Sequence, residues 1–532
     1  MKYIHKAIAI LGLAAILGQL TVACESNGGG NAALQQAESQ IAVSPAQAPP
    51  QRSAAKLAPE TQPLPNADAA SPGNQVPEEA KGETYDRIEE NPFLQVSNNP
   101  LSTFAIDVDA ASYSNVRRFI NEGQLPPKDA VRLEELINYF NYEYPQPEGD
   151  RPFSVTAEVS AAPWNPAHKL VHIGLQGKTI TKENLPPSNL VFLLDVSGSM
   201  NEPNKLPLLK SAFRLLVNEL RDSDRVSIVV YAGSAGVVLP PTPGNQKDKI
   251  LNALDKLEAG GSTAGGEGIQ RAYKLAQENF INSGNNRVIL ATDGDFNVGV
   301  SSDAELVRLI EQKREQGVFL TVLGFGTGNF QDAKMEKLAD KGNGNYAYID
   351  NELEAKKVLV KEMGGTLFTI AKDVKIQVEF NPAKVQSYRL IGYENRRLRN
   401  EEFNDDKKDA GELGSGHAVT ALYEIIPVKG QSGEVMQVKL RYKAPEGTTS
   451  QLITSNVVDQ GLTLENASNN FKFSAAVAAF GMILRDSQYK GNANFNEVLQ
   501  LANQSQGEDL DGYRAEFIRL VKGAKSIAIA KQ

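Results

Sequence analysis

The sequence predicts an α/β fold whose centre is a doubly wound, mostly parallel sheet with helices on both faces. Between residues 190 and 363, short apolar runs alternate regularly with segments of helical periodicity. The run Leu-Val-Phe-Leu-Leu at 190–194 has the length and composition of a strand buried on both faces, and it ends abruptly in polar residues. We therefore expect the sheet to occupy residues 185–367 and to carry its ligand-binding loops at the carboxyl ends of its strands.

The regions on either side of this sheet have different patterns. Residues 85–180 combine helical and strand-like stretches, which predicts an accessory α+β segment. Residues 368–470 change to a period of two and predict a small antiparallel β domain. Residues 471–532 carry helices with apolar stripes, which indicates that these helices pack on the rest of the protein.

The N-terminal region indicates export and attachment to a membrane. Residues 1–23 have a basic start and a mostly apolar run that is short for a membrane span, so we predict a signal peptide. The segment Leu-Thr-Val-Ala-Cys at 20–24 resembles the lipobox of bacterial lipoproteins, which implies that Cys24 is acylated. An ordinary signal peptide with an incidental cysteine is the alternative. Residues 24–84 are poor in aromatic and β-branched side chains and predict a disordered tether.

This N-terminal pattern predicts where the protein is found. We expect a lipid-anchored protein of the bacterial cell envelope, on the periplasmic or extracytoplasmic face of a membrane. Cys24 is the single cysteine, so the mature chain can form no internal disulfide.

Composition and charge argue against several classes of protein. The 532 residues carry a formal net charge of -9, which disfavours nucleic-acid binding because phosphate recognition needs a basic face. The chain has 4 histidines, and none is close in sequence to residues 195–199. The sequence therefore offers few histidines for a Ser-His-Asp hydrolase or for a His-rich zinc site.

Oxygen-bearing side chains stand at three points where loops of the predicted sheet converge. They belong to Asp195, Ser197, Ser199, Thr263 and Asp293. The first three follow the buried strand, the fourth ends a Gly-Gly-Ser-Thr run, and the fifth lies in Thr-Asp-Gly. Two carboxylates and three hydroxyls are hard ligands that suit Mg²⁺, with Mn²⁺ or Ca²⁺ as substitutes. Two aspartates balance a divalent charge and leave a position for water or for an Asp or Glu of a partner.

Each of these residues also has a purely structural explanation. Ser197 and Ser199 could cap the helix that follows them. Thr263 could sit in a glycine-rich turn, and Asp293 could form a turn with the glycine after it. Because all five occur at strand ends of one α/β unit, we favour the metal site.

Other acidic residues have simpler explanations. Glu202, Glu267 and Asp295 flank the motif, and we interpret them as solvated surface acids, with a contribution to a second ion as the alternative. The acidic run at 107–112 has neither the glycine nor the final acid of an EF-hand loop. We therefore expect Asp109 to cap the helix that follows it.

The D-x-S-x-S motif, the lone threonine and the T-D-G together resemble the metal-ion-dependent adhesion site of von Willebrand factor type A domains. The resemblance implies a Rossmann-like von Willebrand A fold over 185–367 and recognition of an acidic side chain through the ion. The whole folded chain resembles a family of bacterial lipoproteins that carry this domain between an N-terminal accessory segment and a C-terminal domain of unknown function. The N-terminal likeness lies in residues 100–104, 117–119, 123–127 and 162–166.

These observations predict a membrane-tethered, divalent-metal-dependent protein-binding module and not an enzyme. An assembly or chaperone-like factor that works with a partner complex, such as one containing an ATPase, is the alternative. A metal-assisted hydrolase is the third hypothesis, and it would be distinguished by turnover of esters or peptides that is lost with Asp293.

Overall fold

The computed structural model describes residues 83–262, 265–294, 303–328, 331–362 and 368–531. Its strands are β1 (Leu94–Gln95), β2 (Leu101–Ala105), β3 (Phe153–Ala162), β4 (Asn165–Gly177), β5 (Ser188–Asp195), β6 (Arg225–Tyr231), β7 (Ala235–Pro243), β8 (Asn285–Thr292), β9 (Val318–Phe325), β10 (Tyr346–Ile349), β11 (Thr369–Phe380), β12 (Val385–Ile391), β13 (Gly411–Gly414), β14 (Ala418–Pro427), β15 (Gly433–Lys443) and β16 (Ser450–Asp459). Its α-helices are α1 (Ala111–Asn121), α2 (Leu133–Asn138), α3 (Leu206–Glu219), α4 (Lys247–Asp255), α5 (Gly265–Glu278), α6 (Asp303–Glu315), α7 (Asp332–Lys341), α8 (Glu352–Lys356), α9 (Asn469–Arg485), α10 (Phe495–Gln504) and α11 (Tyr513–Ala530).

The predicted signal peptide, Cys24 and nearly all of the predicted tether lie outside the described residues. Within the described ranges, no helix combines the length and the apolar character that a membrane crossing requires.

The central sheet has six strands in the order β10-β9-β8-β5-β6-β7. All neighbouring pairs are parallel except β6 and β7. Every residue of β5 is buried, as expected of a strand covered on both faces. Phe192 packs with α3, α4 and α8, whereas Val191 and Leu193 point the other way and pack with α5, α6 and α7. This arrangement confirms the predicted fold class, a mostly parallel sheet wound on both faces.

Two antiparallel sheets combine strands from both flanking regions. One has the order β1-β12-β14-β4-β3, and the other has the order β13-β11-β15-β16 with β2 beside β11. Phe104 of β2 lies opposite Ile376 of β11, and Val171 of β4 lies opposite Tyr423 of β14. The boundaries at 180 and 368 stay a prediction. Because the regions outside them share both sheets, these regions pack as one flanking module.

The C-terminal helices pack on the N-terminal ones within this module. α9 begins after Ser468, whose side chain accepts a hydrogen bond from the backbone N–H of Phe471 (3.1 Å) and caps the helix. Aromatic residues of α9 share a buried core with α1, α2, α10 and α11. At Gly481 the helix passes so close to Leu133 of α2 that a Cβ would overlap the leucine. The small residue therefore permits the contact between α9 and α2.

Asp109 does not cap the helix that follows it. Ala110 occupies the N-cap position of α1, and the backbone N–H of Ser112 in its first turn donates to Glu135 of α2 (2.8 Å). The Asp109 carboxylate accepts a hydrogen bond from the backbone N–H of Tyr346 in β10 (2.9 Å) and lies 3.6 Å from the Arg396 guanidinium. The predicted capping role was wrong because the carboxylate interacts with Tyr346 and Arg396 and not with the first turn of α1.

A buried arginine joins the central sheet region to the flanking module. Arg117 of α1 is 1% exposed. Its Nε donates to Asp350 Oδ2 (2.8 Å), and its Nη atoms donate to Glu354 of α8 (2.7 Å) and Glu516 of α11 (2.9 Å). One side chain therefore connects the N-terminal helix, the end of the central region and the C-terminal helix.

Candidate metal centre

The carboxyl ends of β5, β6 and β8 meet at one edge of the central sheet because these strands run parallel. Asp195 is the last residue of β5, and it lies opposite Tyr231, the last residue of β6. Thr292 ends β8, and Asp293 follows it. The structure therefore brings two carboxylates, a phenol and a hydroxyl to a single edge.

The Asp195 side chain is fully buried, and three neighbours hold its two oxygens. Oδ1 accepts a hydrogen bond from the backbone N–H of Ser197 (2.9 Å), and Oδ2 accepts from the hydroxyls of Tyr231 (3.1 Å) and Thr292 (3.2 Å). Burial raises the pKa of Asp195 to about 6, the hydrogen bonds from Ser197 oppose this rise, and the charge of Asp293 adds to it. A cation beside this carboxylate would therefore stabilise its charged form.

Ser197 and Ser199 form a pair of hydroxyls in the loop after β5. Their Oγ atoms lie 3.1 Å apart. A short 3₁₀ turn, Gly198–Asn201, follows Ser197, and no side chain caps this described turn. The structure therefore does not use the serines as helix caps, and their oxygens form a second pair of hard donors beside Asp195.

The loop that leads to Thr263 is hydrogen-bonded to the loop after β5. The N–H of Gly198 donates to the carbonyl of Gly261 (3.0 Å), and the N–H of Gly260 donates to the carbonyl of Val196 (2.8 Å). Gly261 has φ +82, a conformation that glycine adopts without strain. Thr263 itself lies outside the described residues, so its role as a ligand stays a prediction.

A buried lysine pairs with Asp293. Lys205 Nζ donates to Asp293 Oδ2 at 3.0 Å, and the two side chains are 4% and 0% exposed. Lys205 immediately precedes α3, and its carbonyl accepts a hydrogen bond from the N–H of Leu209 in the first turn of that helix (2.8 Å). The lysine stem passes Gly326, where a Cβ would overlap Cγ and Cε of the lysine.

The donor set fits a small divalent cation. Asp195, Ser197, Ser199 and Asp293 all supply oxygen, the ligand atom that Mg²⁺ prefers in proteins. Among the described residues, no three His, Cys, Asp or Glu side chains are grouped so that they could hold a metal by themselves. A cation at this edge would therefore depend on the hydroxyls as well as on the carboxylates.

The acids that flank the site differ from the two buried aspartates. Glu202 and Glu267 are exposed, as expected of solvated surface acids. Asp295 lies outside the described residues. Among the described residues of the site, the buried charges are those of the two aspartates and the lysine.

Two histidines of the described chain, His168 and His172, pair with side chains of the flanking module. His168 Nδ1 lies 2.6 Å from Glu424 of β14. His172 Nε2 lies 2.7 Å from the hydroxyl of Tyr144, and its Nδ1 lies 2.9 Å from Ser474 Oγ. Among the described hydrogen bonds, neither of these two histidines is paired with Ser197 or Ser199.

Three residues of the site were not predicted from the sequence. Tyr231 and Thr292 are the last residues of their strands, so the strand-end argument that selected Asp195 could also have found them. Lys205 is not part of any motif or periodic pattern in the sequence. Only the tertiary fold places it beside Asp293.

Family models match three parts of the chain. The von Willebrand factor type A domain model matches residues 189–362, and a von Willebrand factor model matches residues 79–172. The model described as "Uncharacterized protein YfbK, C-terminal" matches residues 365–527. The first of these ranges contains every residue of the candidate metal centre.

Individual proteins show the same likeness over different lengths. YfbK of Escherichia coli (strain K12) is 44% identical over 475 residues, which cover 84% of this chain and 82% of YfbK. Protein sll0103 of Synechocystis is 28% identical over 193 residues, which cover 36% of this chain and 44% of that protein. A solved von Willebrand factor type A structure from Catenulispora acidiphila covers 70% of this chain and 91% of its own, at 19% identity and a TM-score of 0.40. The chain therefore belongs to the YfbK family of bacterial proteins, in which a von Willebrand factor type A domain precedes a YfbK C-terminal domain.

Proposed function

We propose that this protein binds a partner protein through a divalent cation held at the carboxyl edge of its central sheet. The von Willebrand factor type A domain is a protein-interaction module. The observation that carries the metal-dependent part of the proposal is the meeting of Asp195, Ser197, Ser199 and Asp293 at one edge. We assign these four residues as ligands of Mg²⁺, or of Mn²⁺ or Ca²⁺, together with Thr263.

The residues of the site divide into a buried side and an open side. Asp195 and Asp293 are fully buried, and their negative charges attract a cation to the inner side. Gly198 is exposed and Ser199 is half-buried, so the outer side can be reached by a partner. A bound Mg²⁺ supplies a coordination position that an Asp or Glu of the partner can occupy. The chain's own residues bind and orient the ion, and the proposed function needs no nucleophile.

The proposed location rests on the N-terminal sequence. We assign Cys24 as the site of lipid attachment and residues 24–84 as the tether that holds the folded part away from the membrane. A flexible chain of this length spans very roughly 40 Å. The binding edge would then meet partners within the bacterial cell envelope, close to the membrane surface.

The replacement Asp195→Ala tests the metal site. It removes one of two buried carboxylates, so Mg²⁺ should no longer stabilise the protein. For the wild type, an ion at one hundred times its Kd adds about 2.7 kcal/mol to the free energy of unfolding. The measurements are the Tm in Mg²⁺ and in chelator, and pull-down of partner proteins from envelope extracts under the same two conditions.

Asp255→Ala is the matched control. Asp255 pairs with Arg214 on the surface, where both side chains are more than 40% exposed, so its loss should leave the response to Mg²⁺ intact. An unchanged Mg²⁺ response and unchanged partner capture in Asp195→Ala would contradict the proposal. Recovery of a nucleotide-hydrolysing complex in the pull-down would instead favour the assembly-factor function.

A further inference from the structure

A lysine ammonium lies inside the proposed metal site. Lys205 is 4% exposed, and lysine is almost never buried so completely unless its charge is paired. Its Nζ donates to Oδ2 of Asp293, which the proposed function assigns as a metal ligand. The Asp293 carboxylate therefore pairs with the ammonium of Lys205 and is also a proposed ligand of the divalent metal ion.

Hydrogen bonds of the backbone and packing of the side chain fix the position of Lys205. Its backbone N–H donates to the carbonyl of Glu202 (3.0 Å), and its carbonyl accepts from Leu209 in the first turn of α3 (2.8 Å). Its stem fills the space left by Gly326, which has φ +74 and whose carbonyl accepts a hydrogen bond from the hydroxyl of Tyr348 (2.8 Å). These contacts fix both the backbone and the side chain of Lys205, so its ammonium is held next to Asp293.

The charges at this edge then decide how the lysine and a divalent ion interact. Asp195 and Asp293 together carry two negative charges, and Lys205 offsets one of them. A divalent ion that binds Asp293 comes close to the ammonium, and the repulsion of two cations is strong where water is excluded. In return, the ammonium reduces the repulsion between the two buried carboxylates when no divalent ion is bound.

We propose that Lys205 is an internal competitor for the cation site, whose ammonium must release Asp293 before a divalent ion can bind with full strength. This inference rests on the proposed function and adds a control on metal affinity. It assigns two opposite effects to one side chain. Lys205 weakens metal binding, and it stabilises the protein that has no metal bound. A lysine that only positions Asp293 would strengthen both metal binding and stability.

The test uses Lys205→Met, which keeps the length of the side chain and removes its charge. Mg²⁺ affinity is measured by isothermal titration calorimetry on the full chain, and Tm is measured in chelator. We expect Lys205→Met to bind Mg²⁺ about ten-fold more tightly, a change that corresponds to one pKa unit of charge interaction. Its Tm in chelator should be lower than that of the wild type.

Two further variants complete the experiment. Lys205→Gln keeps a hydrogen-bond donor for Asp293 without the charge, and it should show the same gain in affinity. Lys210→Met is the matched control, because Lys210 lies in the first turns of α3, just after Lys205, and donates to the carbonyl of Asp255 (3.0 Å), away from the site. This control should keep the wild-type affinity for Mg²⁺.

Two results would overturn the inference in different ways. If the wild type binds Mg²⁺ and both Lys205 variants bind it equally well or more weakly, the competing role of the lysine is wrong and the metal site stands. If neither the wild type nor the variants bind Mg²⁺, the proposed function fails, and the competitor role fails with it.

Discussion

The two buried aspartates of the candidate site are compensated in different ways. Asp195 accepts hydrogen bonds from an amide and two hydroxyls, all of them neutral groups. Asp293 receives the full positive charge of Lys205. Burying a carboxylate without an opposite charge is costly, which is why the pKa of Asp195 rises to about 6. We therefore expect the free energy of ion binding to depend most strongly on Asp195.

Gly326→Ala should destabilise the protein through contact with Lys205. Gly326 has φ +74, which disfavours any residue with a Cβ, and the new Cβ would also overlap Cγ and Cε of the lysine. The backbone strain costs about 1–2 kcal/mol, and the overlap adds about 1–3 kcal/mol. Urea-induced unfolding of the variant and the wild type measures the total.

Gly328→Ala separates these two contributions. Gly328 has φ +95, but a Cβ there would meet no atom of the described residues within 4 Å. It should therefore show only the backbone strain. Equal losses of stability in the two variants would mean that the lysine stem does not fill the space beside Gly326.

Single residues of the site differed in how far the sequence could reveal them. Asp195 stands directly after an apolar run and Asp293 stands one residue after another, so their position at strand ends follows from local pattern. Lys205 lies between a strand and a helix, where no periodicity marks a residue as buried. Its contact with Asp293 depends on where the residue before α3 lies relative to the end of β8, which is a property of the tertiary structure.

At the scale of elements, β4 and α9 are connected through a buried histidine. His172 of β4 is 2% exposed and lies between the hydroxyls of Tyr144 and Ser474. Ser474 donates its hydroxyl hydrogen to the carbonyl of Phe471 (2.9 Å), so His172 Nδ1 donates to Ser474 and Nε2 accepts from Tyr144. These contacts suit a neutral imidazole. Burial lowers the pKa of His172 to about 3.

This histidine should make stability depend on pH. The unfolded chain binds a proton at His172 below its ordinary pKa of 6.5, whereas the folded protein resists protonation until about pH 3. Stability is therefore fully present above pH 6.5 and falls as the pH decreases toward 3. From pH 7 to pH 5 the loss from this group is about 2 kcal/mol.

The variant His172→Gln isolates this contribution. Other groups, including His417 with its pKa lowered to about 3 by burial, titrate equally in both proteins and cancel in the comparison. Urea unfolding at pH 7 and pH 5 should show a smaller loss in the variant, by about 2 kcal/mol. The same loss in both proteins would contradict a neutral, buried His172.

The elements of the central region could be predicted better than those of the flanking module. A strand such as β5 is followed in sequence by its own helix, and the parallel pairing of such units follows from general rules of connection. Strand-like stretches within 85–180 and a period of two within 368–470 predicted strands in both regions, but such patterns contain no information on which strand pairs with which. The pairing of β2 with β11 and of β4 with β14 was therefore not predicted.

At the scale of the whole molecule, the central region and the flanking module are joined through buried charge. Arg117 contacts Asp350, Glu354 and Glu516, and the first two of these carboxylates are less than 10% exposed. Losing the arginine would leave these carboxylates buried without compensation. The guanidinium of Arg117 is therefore one of the buried charges that join the two parts, as is that of Arg132.

Arg117→Met should destabilise the protein by roughly 3–5 kcal/mol, the cost typical of breaking a buried ion pair. The measurement is the free energy of unfolding in denaturant. Lys182→Met is the control, because Lys182 and Glu219 form a pair with side chains 53% and 42% exposed, and its loss should cost less than about 1 kcal/mol. Similar losses in the two variants would show that Arg117 does not join the parts of the molecule.

The shared sheets of the flanking module also determine the order in which the chain can fold. Leu94 of β1 lies opposite Tyr388 of β12, and Leu101 of β2 lies opposite Glu379 of β11, so the whole central region separates each pair of partners in sequence. A ribosome that releases the chain from its N-terminus produces β1 and β2 long before their partners exist. The central sheet has its neighbours nearby in sequence, whereas closure of the flanking sheets spans a long loop. Until the C-terminal strands have been synthesised, the edges of β1 and β2 have no partner strand, and the flanking module cannot be completed.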